Sequence, residues 1–390
     1  MQNVRRSTDK GSRRLRVIVA LSGGVDSSVA AALLKERSFE VIGVFILGWN
    51  GTTEFPCAWQ REQNDARLVA RKLQIPFFTI NLEKQYDAAV IQPFIASYRA
   101  GLTPNPDVLC NREIKFKTLW QAVRQFEPDY LATGHYAKIS QTSKLKSHNE
   151  FGIFKAADTD KDQSYFLWGI DRSMLDKIMF PLGKLSKTEV RALARKFQLP
   201  TAAKKDSQGI CFVGPLKVRR FLQTQLSPKR GDAVLADGRV VAQHQGAALY
   251  TVGERLGAQS VAWSGDVPPL FVIGKDLGNN QLIVGSDAET FASQFTAKDI
   301  NWLIKPRARQ FVCQAKIRYR QDEGEVVVSM SKGSPQRLNV KFTTPVRAIT
   351  PGQSVVFYAK DGRLLGGAVI SDARSYRKLR SVKRARNRSA

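Results

Sequence analysis

The sequence predicts an α/β protein made of an N-terminal parallel-sheet domain, a small central domain and a C-terminal β-barrel. Three observations carry this expectation. Up to about residue 213, short β-rich runs alternate with helical stretches, the pattern of parallel strands joined by crossover helices. Around Pro215 the pattern changes, and short strands punctuated by Gly, Pro, Asn and Asp follow one amphipathic stretch. No second long helical pattern returns before a basic tail. The expected organisation is a basic tail over 1–15, an α/β domain over 16–213, a central domain over 214–290, a barrel over 291–375 and a second basic tail over 376–390.

Each element has its own warrant. "RVIVAL" (16–21) is a short apolar β-rich run, and a helix is expected from about Ser27 to Arg37. "EVIGVFIL" (40–47) is the second strand, "NDARLVARKL" (64–73) the second helix and "PFFTI" (76–80) the third strand. "EIKFKTLWQAVRQF" (113–126) reads as a helix, and "YLATGHYA" (130–137) as a buried strand with its following loop. "SKTEVRALARKFQL" (186–199) opens with a capping box, Ser186 to Glu189, and keeps helical apolar spacing. Beyond the amphipathic helix "LKVRRFLQTQL" (216–226), strands are expected within "GDAVLADGRVVA" (231–242), "PLFVIGKDLGNNQLIVG" (269–285) and "GQSVVFYAKDGRLLGGAVI" (352–370).

Composition narrows the partners. The 390 residues carry a formal net charge of +27, so an extensive anion such as nucleic acid is expected before an acidic metabolite. Residues 1–16 hold six basic residues and one acidic, and residues 373–390 hold eight basic and none. The tails therefore supply +13 and the folded body the remaining +14. Four scattered cysteines without a CxxC pair, and three histidines, suggest neither a disulfide scaffold nor a structural zinc site. A reducing compartment fits, with the cytoplasm expected and an organellar matrix or stroma as the alternative. The longest apolar run, "VIGVFIL" (41–47), falls far short of the roughly 20 residues that span a bilayer. No membrane association is expected. The Arg-rich start lacks a secretory apolar region, and Asp9 and the nearness of the first strand favour a plain basic tail over an organellar presequence.

"ALSGGVDSS" (20–28) follows the first strand and opens the first helix. Gly23 and Gly24 permit positive φ and close backbone approach, the serines offer hydroxyls, and the helix N-terminus aims amides at an anion. The turn lacks the GK[ST] ending of a Walker A loop. It resembles the PP-loop of the ATP pyrophosphatases, which divide ATP between the α- and β-phosphates. That resemblance implies an adenine nucleotide alpha hydrolase-like domain, ATP with Mg²⁺ as cofactors, and AMP and pyrophosphate as products. It also implies nucleotide contacts at Ala20, Leu21, Ser22, Gly23, Gly24, Val25, Asp26, Ser27, Ile46 and Gly134, with Asp26 helping to hold the metal.

The chain resembles one branch of that group over its length. "TPNPDVLCNREIKF" (103–116), "YLATGHYA" (130–137), "KDQSYFL" (161–167), "KKDSQGICF" (204–212) and "YTVGERLG" (250–257) are similar, in order, to the motifs of the tRNA 2-thiouridylases, the MnmA family. The chain departs from the family at "ILGW" (46–49), where Met-Lys-Asn-Trp is common, and at Glu254, where Gln is usual. The resemblance implies replacement of the C2 oxygen of a wobble uridine by sulfur, with the tRNA anticodon arm and a persulfide carrier protein as partners. A free monomer is expected.

The chemistry accounts for the residue types. The C2 oxygen is a poor leaving group until adenylated, and sulfur handed over from a persulfide needs one thiol to carry it and another to release it. By resemblance Cys211 is the persulfide carrier and Cys110 the nucleophile, the two ending in a transient disulfide. Cys57 and Cys313 read as packing residues. Asp107, three residues before Cys110, reads either as a general acid/base or as an Asx turn or cap of the following helix. Asn105, Pro106 and Asp107 would receive the target base, on a rim that Pro104 and Pro106 keep extended. His135 reads as structural. Lys161, Asp162 and Gln163 are expected near the tRNA. "KIRYR" (316–320) is expected on a barrel strand, with Arg318 and Arg320 on one face and Tyr319 on the other. A solvated face would explain that alternation, while family position favours Arg318 and Tyr319 against the anticodon arm.

Two rival functions fit these residues less well. An amidating or ligating PP-loop synthetase has no use for Cys110 and Cys211. A nucleic-acid-binding protein with a vestigial nucleotide site fits the charge but leaves the intact loop and both thiols unexplained.

Overall fold

A computed structural model describes residues 13–51, 59–142, 150–205, 218–257, 269–331 and 334–373. They fall into two compact units. The first comprises residues up to Ile91, Pro106–Leu216 and Asp361–Leu365, and the second Gln92–Asn105, Lys217–Lys360 and the remainder from Gly366. Residues 92–105 thus pack with the second unit although they lie early in the chain.

In the first unit, β1 (Arg16–Ala20), β2 (Glu40–Leu47), β3 (Phe77–Asn81), β4 (Tyr130–Ala132) and β7 (Ile178–Met179) form a sheet in the order β3-β2-β1-β4-β7. The pairings are parallel, with Val17 opposite both Val41 and Tyr130. β5 (Lys138–Thr142) and β6 (Glu150–Phe154) make a separate antiparallel pair. α1 (Val25–Glu36) and α2 (Trp59–Leu73) pack on the sheet, burying Val29, Leu34, Ala66 and Val69 with Val17 and Val19. An all-parallel sheet is covered by its crossover helices, which is why β1 and β2 are nearly continuous apolar runs. The chain fills one side of β1 first and then returns to the other. The C-terminal end of β1 is therefore the switch point, where such sheets open a crevice.

In the second unit, β8 (Gly231–Val234), β9 (Val240–His244), β10 (Phe271–Asp276) and β11 (Gln281–Gly285) form a sheet in the order β10-β11-β8-β9. A closed barrel follows, β12-β15-β14-β13-β16-β17. Its strands are β12 (Phe291–Trp302), β13 (Gln310–Lys316), β14 (Gly324–Ser331), β15 (Ser334–Arg347), β16 (Ser354–Tyr358) and β17 (Leu364–Ala373). Val326 and Val328 alternate inward opposite Phe342 and Val340, the period-2 burial of a half-buried strand. The three-part α/β architecture expected from the sequence is the one observed.

Two local expectations are corrected. The helix expected at 113–126 begins earlier, as Pro106–Leu109, and continues through a π-helical stretch, Cys110–Thr118, into Leu119–Ala122 and Val123–Phe126. Pro106 is well suited to a first turn, because its missing N–H would be unpaired there in any case. "KIRYR" is not a strand: β13 stops at Lys316, and residues 317–320 form a bend and turn. The physical reason is the Arg318 guanidinium. It donates to the Val252 carbonyl at 2.9 Å, the Ala348 carbonyl at 3.3 Å and Thr350 Oγ1 at 3.1 Å, which pulls the chain out of the ladder.

Candidate active site

The glycine–serine turn occupies the switch point. Gly23 has φ +73°, and a Cβ there would strike the Glu62 carbonyl, so only glycine fits. Gly24 is the residue before α1, and the turn is laced by hydroxyls. Ser22 N–H donates to Ser27 Oγ at 3.2 Å, and Ser28 Oγ donates to the Gly24 carbonyl at 2.7 Å while accepting from Thr201 Oγ1 at 3.0 Å. Ser27 and Ser28 are buried, whereas Ser22 is exposed. Gly134, just past β4, abuts the turn, where a Cβ would lie 2.6 Å from Ser27 N. This leaves the first amides of α1, which have no intrahelical acceptor, available to an anion. The cradle fits a nucleotide's phosphates.

Ala20 ends β1, and Leu21 is buried with its N–H on the Val44 carbonyl at 2.8 Å. Val25 is buried in the first turn of α1. Ile46 is buried inside β2 opposite Ile80.

Sequence reasoning missed two lysines. Lys187 Nζ donates to Asp26 Oδ1 at 2.7 Å and Oδ2 at 2.9 Å, and Tyr136 Oη donates to Asp26 Oδ1 at 2.9 Å. Lys204 Nζ donates to the Gly23 carbonyl at 2.9 Å and to Asp65 Oδ2 at 2.6 Å. Cation and helix N-terminus thus meet at the same turn, although no Walker lysine is present. The only trace of Lys187 in the sequence was its place as first residue after the capping serine, since it meets Asp26 across 161 positions. Burial of Glu62 raises its carboxyl, Lys204 offsetting part of that and Asp65 adding to it.

Asp107 lies in the first turn of Pro106–Leu109 rather than capping a later helix, and it shares a helical face with Cys110, three residues on. Cys110 is buried and opens the π-helical stretch, a distortion that often marks functional positions. Its neighbour Asn111 donates to the Phe166 carbonyl at 3.1 Å. Cys211, and with it the proposed disulfide, lies outside the described residues, as does Cys57. Cys313 is buried, and burial pushes its thiol up to about 12, an inert packing residue. His135 accepts from or donates to Thr133 Oγ1 at 2.7 Å between the Phe116 and Phe180 rings. Burial there, reinforced by Lys115, holds it well below its ordinary range and hence neutral.

The "KDQ" loop divides in two. Asp162 is buried, taking the Ala156 N–H at 2.9 Å on one oxygen and Ser164 Oγ at 2.8 Å on the other, so its carboxylate serves the loop itself. Gln163 accepts from Tyr136 N–H at 2.9 Å and donates its own N–H to the Tyr136 carbonyl at 2.8 Å. Lys161 is half-buried. In the second unit, Tyr319 is half-buried in the turn after β13. Glu254, the departure from the family's usual Gln, forms an ion pair with Arg219 and accepts from Thr251 N–H at 3.0 Å. Arg219 in turn lies over the Tyr250 ring at 4.3 Å. An amide would lose that ion pair.

A parallel sheet whose switch point carries this turn defines a PP-loop enzyme. Family models match in three consecutive stretches: "tRNA methyl transferase HUP domain" over residues 15–215, "tRNA methyl transferase PRC-barrel domain" over 219–286 and "Aminomethyltransferase beta-barrel domain" over 292–370. The tRNA-specific 2-thiouridylase MnmA of Enterococcus faecalis is 43% identical over 366 residues, 92% of this chain and 96% of the relative. That of Shouchella clausii is 44% identical over 361 residues, 91% and 96%. The chain belongs to the tRNA-specific 2-thiouridylase MnmA family, a family of tRNA sulfurtransferases. Among solved structures, the U34-tRNA thiolase NcsA from Methanococcus maripaludis with its [4Fe-4S] cluster matches with TM-score 0.34 and 18% identity, over 55% of this chain and 67% of that one. Among the described residues no helix is long and apolar enough to cross a membrane, and no group of three or more His, Cys, Asp or Glu could hold a metal ion.

Proposed function

We propose that the protein is an ATP-dependent sulfurtransferase that converts the wobble uridine of tRNA to 2-thiouridine, releasing AMP and pyrophosphate. The observation carrying this reading is the relation to 2-thiouridylases across more than nine-tenths of both chains. The PP-loop turn and the Asp107–Cys110 helix give it chemistry. Methyl transfer, which two of the matched family names mention, would leave the anion cradle at the switch point without a use.

Ser22 to Ser27 and the N-terminus of α1 hold the phosphates of ATP, and Gly134 keeps the space beside them open. Bound ATP activates the uracil C2 oxygen by adenylation. Lys187 and Lys204 supply positive charge where charge builds on the departing pyrophosphate. Asp26, whose carboxylate now takes Lys187 and Tyr136, would be the residue to hold Mg²⁺, which would supply charge neutralisation at the phosphates when bound. Asn105, Pro106 and Asp107 receive the base, and Asp107 exchanges a proton with it. Cys211 carries the sulfane sulfur from a persulfide carrier protein. The terminal sulfur of Cys211–S–SH replaces the C2 oxygen, AMP leaves, and Cys110 closes onto Cys211 as a disulfide, retaining the two electrons' worth of oxidation that the persulfide brought. Lys161 and Tyr319 meet the anticodon arm, and Arg318 shapes the turn that presents Tyr319. The protein acts as a monomer in a bacterial-type cytoplasm, with a catalytic domain over 16–213, a central domain over 214–290 and a barrel over 291–375, between basic tails.

The test is Cys211→Ser in a purified assay with tRNA, ATP and a persulfide donor, read by nucleoside mass spectrometry. The expected outcome is loss of 2-thiouridine with ATP binding retained. Undiminished 2-thiouridine removes the persulfide assignment.

A further inference from the structure

The motif "YTVGER" and the turn Pro351–Gln353 have no assigned part in the nucleotide or sulfur chemistry, yet both converge on the segment that precedes Pro106. Thr103 N–H donates to the Pro351 carbonyl at 2.9 Å. Gln353 Nε2 donates to the Thr103 carbonyl at 3.0 Å and the Pro104 carbonyl at 3.2 Å. Thr103 Oγ1 and Thr251 Oγ1 share a hydrogen bond at 3.3 Å. Gly352 lies between these contacts with φ +94°, and a Cβ there would come 2.7 Å from Thr103 N and 2.9 Å from Thr103 O. The loop rests directly on bare backbone. Thr103 is buried, and all of these residues belong to the second unit.

Gln353 is itself aimed by the barrel. Its N–H donates to the Thr350 carbonyl at 3.1 Å, and its carbonyl accepts from Ile370 N–H at 2.8 Å, so backbone bonds on both sides hold its side chain toward Thr103. The peptides after Thr103 and Pro104 are thereby held by two donors on one amide. Since Pro104 and Pro106 already restrict their neighbours, little torsional freedom is left between Thr103 and Asn105.

We infer that Gln353, with Thr251, is a positioning residue for thiolation: it clamps Thr103 and Pro104 so that Asn105 presents the extruded uridine in one fixed pose. The inference rests on the proposed thiolation of a wobble uridine. A loosely held loop would still bind tRNA through the basic surface, which supplies most of the affinity. It would bring the base to the reacting position less often, so kcat would carry the loss and KM would not.

The experiment compares the wild-type full chain with Gln353→Glu, which keeps shape but sets oxygen against two carbonyls, and with Thr251→Val, which removes one hydroxyl. The expected result is a fall in thiolation kcat of at least about tenfold for Gln353→Glu and about threefold for Thr251→Val, with KM for tRNA and ATP within about twofold. Hydrogen exchange at the Thr103 amide rises in Gln353→Glu while exchange in α1 is unchanged. The positioning role is overturned if kcat is retained, if the loss lies in KM, or if exchange rises throughout the chain. A wild-type protein that forms no 2-thiouridine overturns the proposed function instead, and shows itself before any variant is compared.

Discussion

Around Ser22–Ser27 the neutral hydroxyl bonds of the turn are joined by charged contacts, Lys187 on Asp26 and Lys204 on Asp65 and the Gly23 carbonyl, whereas the bonds at Thr103 and Pro104 are all neutral. The difference follows from what each place must do. A phosphate entering beside Lys187 can replace one anion by another, so the contact is exchangeable at small cost. Neutral bonds between amides and carbonyls carry no net charge for a polyanion to exchange. One region is built to be displaced and the other to stay.

The largest test of this contrast is Lys187→Met. It leaves Asp26 beside the cradle without its cation, and ATP affinity measured by calorimetry should fall about 100-fold, or about 2.7 kcal/mol. Lys187→Arg should recover part of it. An unchanged affinity would mean that the ion pair is not the exchangeable element. Next comes Gly134→Ala, which places a methyl against Ser27 N; overpacking of about 1–3 kcal/mol is expected in thermal melts, with weaker ATP binding. Equal melts and equal affinity would show that the turn can yield.

The last test probes the second unit, where Lys275 is buried. Lys275 donates to the Tyr250 carbonyl at 2.8 Å, and burial pushes it from its ordinary 10.5 down to about 8, with Glu254 opposing. Below about pH 8 the ammonium is present in both folded and unfolded chains, and the folded state bears the cost of burying it. As pH rises from about 8 toward 10.5 the folded chain sheds the proton first, so stability should increase. Tyr98, raised to about 12 by burial and Glu254, turns the balance once pH passes 10, because there the unfolded chain loses its proton first. Lys275→Met should therefore melt higher than wild type at pH 7, by about 1–3 kcal/mol, with the gap narrowing by pH 9.5. A gap independent of pH would refute the assignment.

Much of the first unit was legible because its signals are local. β1, the SGGVDS turn and α1 are contiguous, and the apolar runs of β1 and β2 follow from their burial under crossover helices. The capping box at Ser186 and Glu189 was equally plain, since both partners lie within one turn. Nothing local set Lys187 apart, because its partner Asp26 lies 161 positions away. Arg318 shows the opposite error: "KIRYR" has strand alternation, but three acceptors from residues 252, 348 and 350 draw the arginine out of β13. The two oxygens of Asp162 are taken up by the Ala156 N–H and Ser164 Oγ, partners that the loop's sequence did not indicate.

By itself the sequence determined the succession of parallel-sheet, central and barrel parts, the place of the anion turn and the spacing of an acid three residues before a thiol. Periodicity, glycine conformational freedom and helix geometry act within a few residues, so they can be read in order along the chain. Only the tertiary structure decided which cations face Asp26 and Gly23, and which amide holds Thr103. Those contacts join residues up to 250 positions apart, and their partners are chosen by the sheet and barrel that bring them together.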